Sequence, residues 1–195
     1  MGTKPIIIAG GGHAGIEAAL AISRMGYRAL IITLDPKSIG RMSCNPAIGG
    51  LAKGHIVKEI DALGGVMGRA ADFSGIQFKT LNKSKGRAVW SPRAQVDKLK
   101  YTQFIQNKIS LDENIEVIAG EVVDFTVNNS NVSSAILKDH SAYPCASLII
   151  TAGTFLNGLI HIGERKFRAG RMGEKPAVGL TESLINNGFS VGRLK

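Results

Sequence analysis

An α/β fold, a central parallel sheet with an added antiparallel β-meander, follows from three observations on the sequence. First, Ile6-Ile7-Ile8-Ala9 runs into Gly10-Gly11-Gly12-His13-Ala14-Gly15, and an apolar helical run follows from Ile16 to about Met25. Second, Tyr27–Thr33 reads as a further buried strand, so strand, helix and strand form a β-α-β unit with parallel strands and a right-handed crossover. Third, short strand-like segments recur between Ile115 and Ile150, broken at Asn128-Asn129-Ser130-Asn131, a hairpin turn by composition. This layout is Rossmann-like.

The first glycines carry the chemistry. Gly10, Gly12 and Gly15 fit G-x-G-x-x-G, and the strand before and helix after them give that pattern its meaning. Gly10 permits the tight turn, Gly12 lets a pyrophosphate approach the backbone, and Gly15 lets helix and strand pack closely. The N–H groups of the helix start, from His13, Ala14 and Gly15, would face the phosphate charge, aided by the helix dipole. At the end of the second strand such a site wants an acidic group for the ribose hydroxyls. Thr33 holds the expected position and Asp35 is the nearest carboxylate, and the sequence leaves both as candidates.

Residues 37–50 read as a long, moderately apolar loop containing Cys44, followed by a helix from about Leu51 to Leu63 that ends at Gly64-Gly65. Long loops inside a compact domain are usually functional. A thiol near a helix start and near Arg41, Lys53 or His55 reads either as an activated nucleophile or as a small buried hydrophobe. His13 and His55 read as hydrogen-bonded structural residues. Lys53, Lys58, Glu59 and Asp61 read as a solvated face, and Glu59 and Asp61 are two apart, so they do not pair on one helix face.

Between Lys79 and Lys100 the cations Lys79, Lys83, Lys85, Arg87, Arg93, Lys98 and Lys100 oppose only Asp97, with Trp90 among them. Such a stretch suits a phosphate backbone, with Trp90 as a stacking candidate, and equally suits a solvated surface. A helix is predicted from about Arg93 to Ile109. Strands are predicted at Ile115–Ile118, Gly120–Val127, Val132–Leu137 and Ala142–Ile150, the last running into the Gly153 turn. A second basic cluster comprises Arg165, Lys166, Arg168, Arg171 and Lys175. A final helix is expected from Gly179 to Asn187, and a strand-like Phe189-Ser190-Val191 precedes an end that looks cut.

Composition agrees with a globular domain. The 195 residues carry 44% hydrophobic and 20% charged residues, and a net charge of +9, which favours a polyanionic partner. Two cysteines exclude a disulfide framework and make a reducing cytoplasm the default. No apolar run approaches the length of a membrane span.

The glycine fingerprint occurs together with Ser43-Cys44-Asn45-Pro46-Ala47-Ile48-Gly49-Gly50, Lys53-Gly54-His55, Glu59–Gly65, Gly75–Phe78, Leu81-Asn82, Ser84-Lys85-Gly86, Gly153–Leu156, His161-Ile162-Gly163 and Gly192–Lys195. The whole chain thereby resembles the N-terminal FAD-binding part of the MnmG (GidA) family of tRNA uridine 5-carboxymethylaminomethyl modification enzymes, with residues 1–195 as that portion. The resemblance implies FAD on the Gly10–Gly15 loop and (carboxymethyl)aminomethyl addition at carbon 5 of a wobble uridine. It implies NADH and methylenetetrahydrofolate as co-substrates, an MnmE-type GTPase partner, a homodimer, and no membrane. It also implies a catalytic role for Cys44 and an FAD contact at Val122, with Gly153 in the binding set. Ala177 stands where the family has a serine that contacts FAD. The inserted and C-terminal helical domains of the family are absent, so the piece alone is expected to be inactive. The competing readings are a non-catalytic fragment that keeps the fold, and a folate- and FAD-dependent tRNA uracil methyltransferase relative. The Ser43–Gly50 segment argues against the second. A generic NAD-dependent oxidoreductase would leave that segment unexplained.

Overall fold

The structure is a computed structural model and describes residues 4–42, 45–170 and 176–192. The chain begins with β1 (Ile6–Ala9), α1 (His13–Arg24) and β2 (Ala29–Thr33), and a short 3-10 turn at Pro36–Ser38 leads to β3 (Ala47–Gly49). Next come α2 (Lys53–Ala62), α3 (Met67–Ser74), β4 (Gly75–Leu81), β5 (Ser91–Val96) and α4 (Lys98–Ser110). The remainder is β6 (Ile115–Ala119), β7 (Val122–Asn128), β8 (Asn131–Leu137), β9 (Ala142–Pro144), β10 (Ser147–Ile150), β11 (Leu159–Ile162), β12 (Arg165–Arg168) and α5 (Leu180–Asn186).

The central sheet has the order β10-β1-β2-β6, and every pairing in it is parallel. The inner strands β1 and β2 are apolar up to Thr33 and buried beyond Ile6 because both faces are covered, whereas the edge strands β6 and β10 carry the exposed Glu116 and Ser147. Side chains alternate: Ile8 and Ile31 enter the core shared with α1, α3 and α4, whereas Ile7, Leu30 and Ile32 enter the core shared with β7, β8 and α5. Each such fully buried aliphatic stabilises the fold by about 1.5–3 kcal/mol relative to exposure. The chain moves outward from β1 through β2 to β6, then returns to place β10 on the other side of β1. Strand order therefore reverses between β1 and β10, where open α/β sheets form their ligand crevice.

The helices follow from the spacing of their apolar residues. On α1 the buried positions are Gly15, Ile16, Ala19, Leu20 and Ile22. Gly26, at φ +81°, ends it, with the Gly26 N–H donating to Ser23 O and the Tyr27 N–H to Ile22 O. On α4, Tyr101, Ile105 and Ile109 form one buried stripe. Its cap is Asp97, whose carboxylate accepts from the N–H groups of Leu99 and Lys100.

Several expectations are corrected. The helix predicted from Arg93 starts at Lys98, because residues 91–96 form β5, the middle strand of an antiparallel sheet β3-β5-β4. The loop predicted over 37–50 is partly ordered: Pro36–Ser38 turns on the Asp35 cap, and Ala47–Gly49 pairs with β5. α3, β4 and the hairpin β11–β12 were not legible in the sequence, since their apolar residues are exposed or their periodicity is short. The strand-like Phe189–Val191 is exposed and forms no strand among the described residues; the Phe189 N–H instead donates to Leu184 O behind α5. The meander β7-β8-β9 lies where expected.

Candidate functional site

The reversal point carries a cleft of about 750 Å³, within the usual range of about 300–1,000 Å³ for small-molecule sites. Its lining includes Gly10–His13, Thr33, Asp35, Arg41, Glu121, Val122, Thr151–Leu156 and Pro176–Val178. Most of these residues follow the C-terminal ends of β1, β2, β6 and β10, and the segment Pro176–Val178 before α5 completes the wall.

Each glycine of the fingerprint has a separate local reason. Gly10 adopts φ +121°, and a Cβ there would lie 2.5 Å from Thr151 O. At Gly15 a Cβ would collide with Gly10 O. Gly11 is hemmed in by side chains, with Thr33 Oγ1 and Ile39 Cγ1 each 3.0 Å from the position of a Cβ. Gly12 alone has nothing within 4 Å, so its lack of a side chain opens the cleft rather than relieving packing. Gly12 is also the N-cap of α1, with extended backbone and no side-chain cap. The helical ladder starts with the Ile16 N–H donating to Gly12 O, so the N–H groups before it lie in the first turn, ahead of the ladder. No acidic residue occupies that turn. The positive end of the α1 dipole is thus left for an anion in the cleft.

Opposite this turn, the Thr151 hydroxyl reaches Ala9 O (3.2 Å) and Gly10 O (3.0 Å), fastening the end of β10 to the end of β1. His13 lines the cleft while its ring lies 5.6 Å from that of Tyr101, which is fully buried. Burial, with the nearby Glu17 charge, pushes the Tyr101 phenol well above its ordinary range. Ala14 and Gly15 follow in the first turn, with Ala14 exposed and Gly15 buried.

Beside the glycine turn, at the end of β2, Thr33 is buried against Gly11, whereas Asp35 is exposed and its Oδ1 accepts from the Lys37 N–H at 3.0 Å. Val122 is buried with its edge in the cleft, and Gly153, at φ +58°, lines the wall formed by the turn after β10. The structure thus brings Gly10–His13, Thr33, Asp35, Val122 and Gly153 to one cleft. Cys44 lies outside the described residues, as do Ser43, Arg171 and Lys175.

Glu121 is a cleft residue that sequence reasoning missed. Its carboxylate accepts from the Val178 N–H (3.0 Å) and from Lys138 Nζ (2.8 Å), pinning the Pro176–Val178 strap to the start of β7. Nothing in its local pattern marks it, because its partners are 17 and 57 residues away. Ala177 lies in this strap; its N–H donates to Phe155 O and its carbonyl accepts from the Asn157 N–H. Trp90 is partly screened: its Nε1–H donates to Lys85 O, and the Arg87 guanidinium lies 5.8 Å from its ring centre. The basic stretch is also divided, with Lys79 on β4, Arg93 on β5, Lys85 and Arg87 in the intervening arch, and Lys98 and Lys100 on α4. The other cysteine, Cys145, is buried, and burial pushes its thiol up. Among the described residues no cluster of metal-ligating side chains occurs, and no helix is long and apolar enough to cross a membrane.

A parallel sheet with a glycine turn at its reversal point, and a cleft above it, places the chain in the Rossmann-like α/β class. Within that class, the chain belongs to the GIDA family, glucose inhibited division protein A, whose profile matches residues 5–195. It is 48% identical over 190 residues to the tRNA uridine 5-carboxymethylaminomethyl modification enzyme MnmG of Protochlamydia amoebophila, covering 97% of this chain and 30% of that protein. To the MnmG of Campylobacter hominis it is 53% identical over 190 residues, again covering 97% and 30%. The structure of Aquifex aeolicus GidA superposes with a TM-score of 0.90 at 47% identity, over 96% of this chain and 31% of that one. A GidA-related protein from Thermus thermophilus shares the fold at a TM-score of 0.64 and 14% identity. The chain spans about a third of the length of the two MnmG proteins and of the Aquifex aeolicus GidA, and 70% of the Thermus thermophilus protein.

Proposed function

We propose that this chain is the FAD-holding part of an enzyme that modifies tRNA uridine at carbon 5. The observation that carries this reading is Gly12. It is the one fingerprint glycine open to the cleft, at the uncapped start of α1, in a chain about half identical to proteins named MnmG. His13, Ala14 and Gly15 supply main-chain N–H groups to the diphosphate. Gly10 and Gly11 keep the turn tight against Thr151 and Thr33. Asp35, exposed at the mouth, takes the ribose hydroxyls, and Thr33 supports the turn from beneath. Val122 flanks the adenine, and Gly153 borders the flavin side of the cleft.

When bound, FAD supplies the redox chemistry, with NADH as reductant and methylenetetrahydrofolate as one-carbon donor. Cys44 is the nucleophile. Addition of its thiolate to the uracil ring makes carbon 5 reactive, the usual logic of covalent catalysis on pyrimidines. The partners are tRNA, an MnmE-type GTPase and a second copy of the enzyme, and the site of action is the cytoplasm.

The test is spectroscopic. The purified chain is mixed with FAD, freed of excess ligand, and its absorbance recorded from the near ultraviolet to the blue. The expected result is a retained flavin spectrum, which Gly12→Val abolishes. Equal retention by the two proteins would overturn the assignment.

A further inference from the structure

The strap before α5 has no helix or strand of its own beyond a single bridge between Ala177 and Leu156, yet Pro176, Ala177 and Val178 all line the cleft. We propose that Glu121 is a positioning residue that latches this strap to the start of β7, and that the latch governs how slowly a bound cofactor leaves the cleft. The proposal rests on the reading of the cleft as an FAD site.

The strap is held from three sides. The Ala177 N–H donates to Phe155 O (2.9 Å) and its carbonyl accepts from the Asn157 N–H (2.8 Å), which fastens one edge to the turn after β10. The Gly179 N–H donates to Glu182 in the first turn of α5 (3.1 Å). The third side depends on one side chain. The Val178 N–H donates to Glu121 Oε1 (3.0 Å), and among the described residues no other hydrogen bond ties residues 176–178 to β7.

Glu121 is itself fixed from the sheet side. Its carbonyl accepts from the Lys138 N–H (2.9 Å), and its Oε2 accepts from Lys138 Nζ (2.8 Å). The Gly120 N–H just before it donates to Thr33 O at the end of β2 (2.9 Å). The Glu121 side chain is 11% exposed against 64% for Lys138, so the lysine balances a largely buried charge from the solvent side. A charged acceptor already held in place makes a strong bond and loses little freedom in making it.

The strap is wall and not core. Neither Ala177 nor Val178 belongs to the two buried clusters, whereas Leu180, the first residue of α5, does. Freeing the strap would therefore open the cleft without unpacking the central sheet. Segments that close over a ligand commonly set its rate of release.

The experiment has two readouts on this chain. Amide hydrogen exchange is followed first, without FAD. In Glu121→Ala the Val178 amide should exchange about tenfold faster or more, while the amides of β1 and β2 keep their rates. Each protein is then loaded with FAD, diluted, and the release of flavin followed by its fluorescence. Release should be about tenfold or more faster from Glu121→Ala. In Glu121→Gln the side-chain oxygen still accepts from Val178, so both rates should return to within roughly threefold of the unaltered chain. Should Glu121→Ala fail to fold, Glu121→Asp, one methylene too short to reach Val178, takes its place. Equal flavin release with and without the latch would overturn the role. So would exchange that quickens equally in β1, β2 and the strap, since Glu121 would then be a general stabiliser. A chain that holds no flavin even unaltered overturns the FAD reading instead, and unchanged exchange at Val178 in Glu121→Ala refutes the latch independently of it.

Discussion

Gly15 on α1 faces the carbonyl oxygen of Gly10 so closely that no β-carbon fits between them. Gly12, three positions earlier, faces open space. The two glycines of one fingerprint therefore serve different ends, packing and access. Gly15→Ala is expected to destabilise the fold by about 1–3 kcal/mol, as overpacking against immovable backbone does. Gly12→Ala should leave stability within about 1 kcal/mol, since its φ of −76° suits any residue. It should nonetheless weaken FAD retention by tenfold or more. Urea denaturation and flavin titration of the two variants check this; equal stability losses would contradict it.

Glu17 joins α1 to α3. Its carboxylate accepts from the Val66 N–H (2.9 and 3.0 Å to its two oxygens) and from the Met67 N–H (2.7 Å). It supplies from another helix the negative charge that the first turn of α3 lacks. Hydrogen bonds to a charged acceptor are each worth about 1.5–3 kcal/mol. Glu17→Gln should cost about 1–3 kcal/mol, read as a lower urea midpoint at unchanged slope. It should also ease titration of Tyr101, since burial first and the Glu17 charge second hold that phenol protonated.

The start of α5 has an acid-sensitive cap. Glu182 accepts from the Gly179 N–H (3.1 Å) and from the Asn157 amide (3.1 Å). Its carboxyl is held below its ordinary value of 4.5, chiefly by its own main-chain N–H and then by Asn157. A lowered carboxyl pKa stabilises the fold above the unfolded value and ceases to do so as pH falls through the folded value. The thermal midpoint should therefore fall on acidification below about pH 4.5. In Glu182→Gln that part of the fall should be missing, so the two melting curves converge at the acid end. A constant difference between them from neutral pH to the acid end would refute the assignment.

The local pattern was enough for β1, the glycine turn, α1, β2 and the meander, because a buried strand is a continuous apolar run and a turn demands glycine at particular φ values. It also picked out the cleft residues near the fingerprint. It did not yield β3, β4 and β5. Their strand identity comes from pairing with one another, and Ser91-Pro92, which opens β5, reads locally as a turn. Nor did it yield Glu121, Thr151 or Glu17, whose hydrogen-bond partners are remote in sequence. The sequence by itself thus determined the glycine turn between β1 and α1, since that depends on backbone conformation over a few consecutive residues. Only the tertiary structure decided which strand ends meet beside that turn, and that Lys79 and Arg93 stand face to face. Charge repulsion and hydrogen bonding act through space, and chain order does not record the distances they depend on.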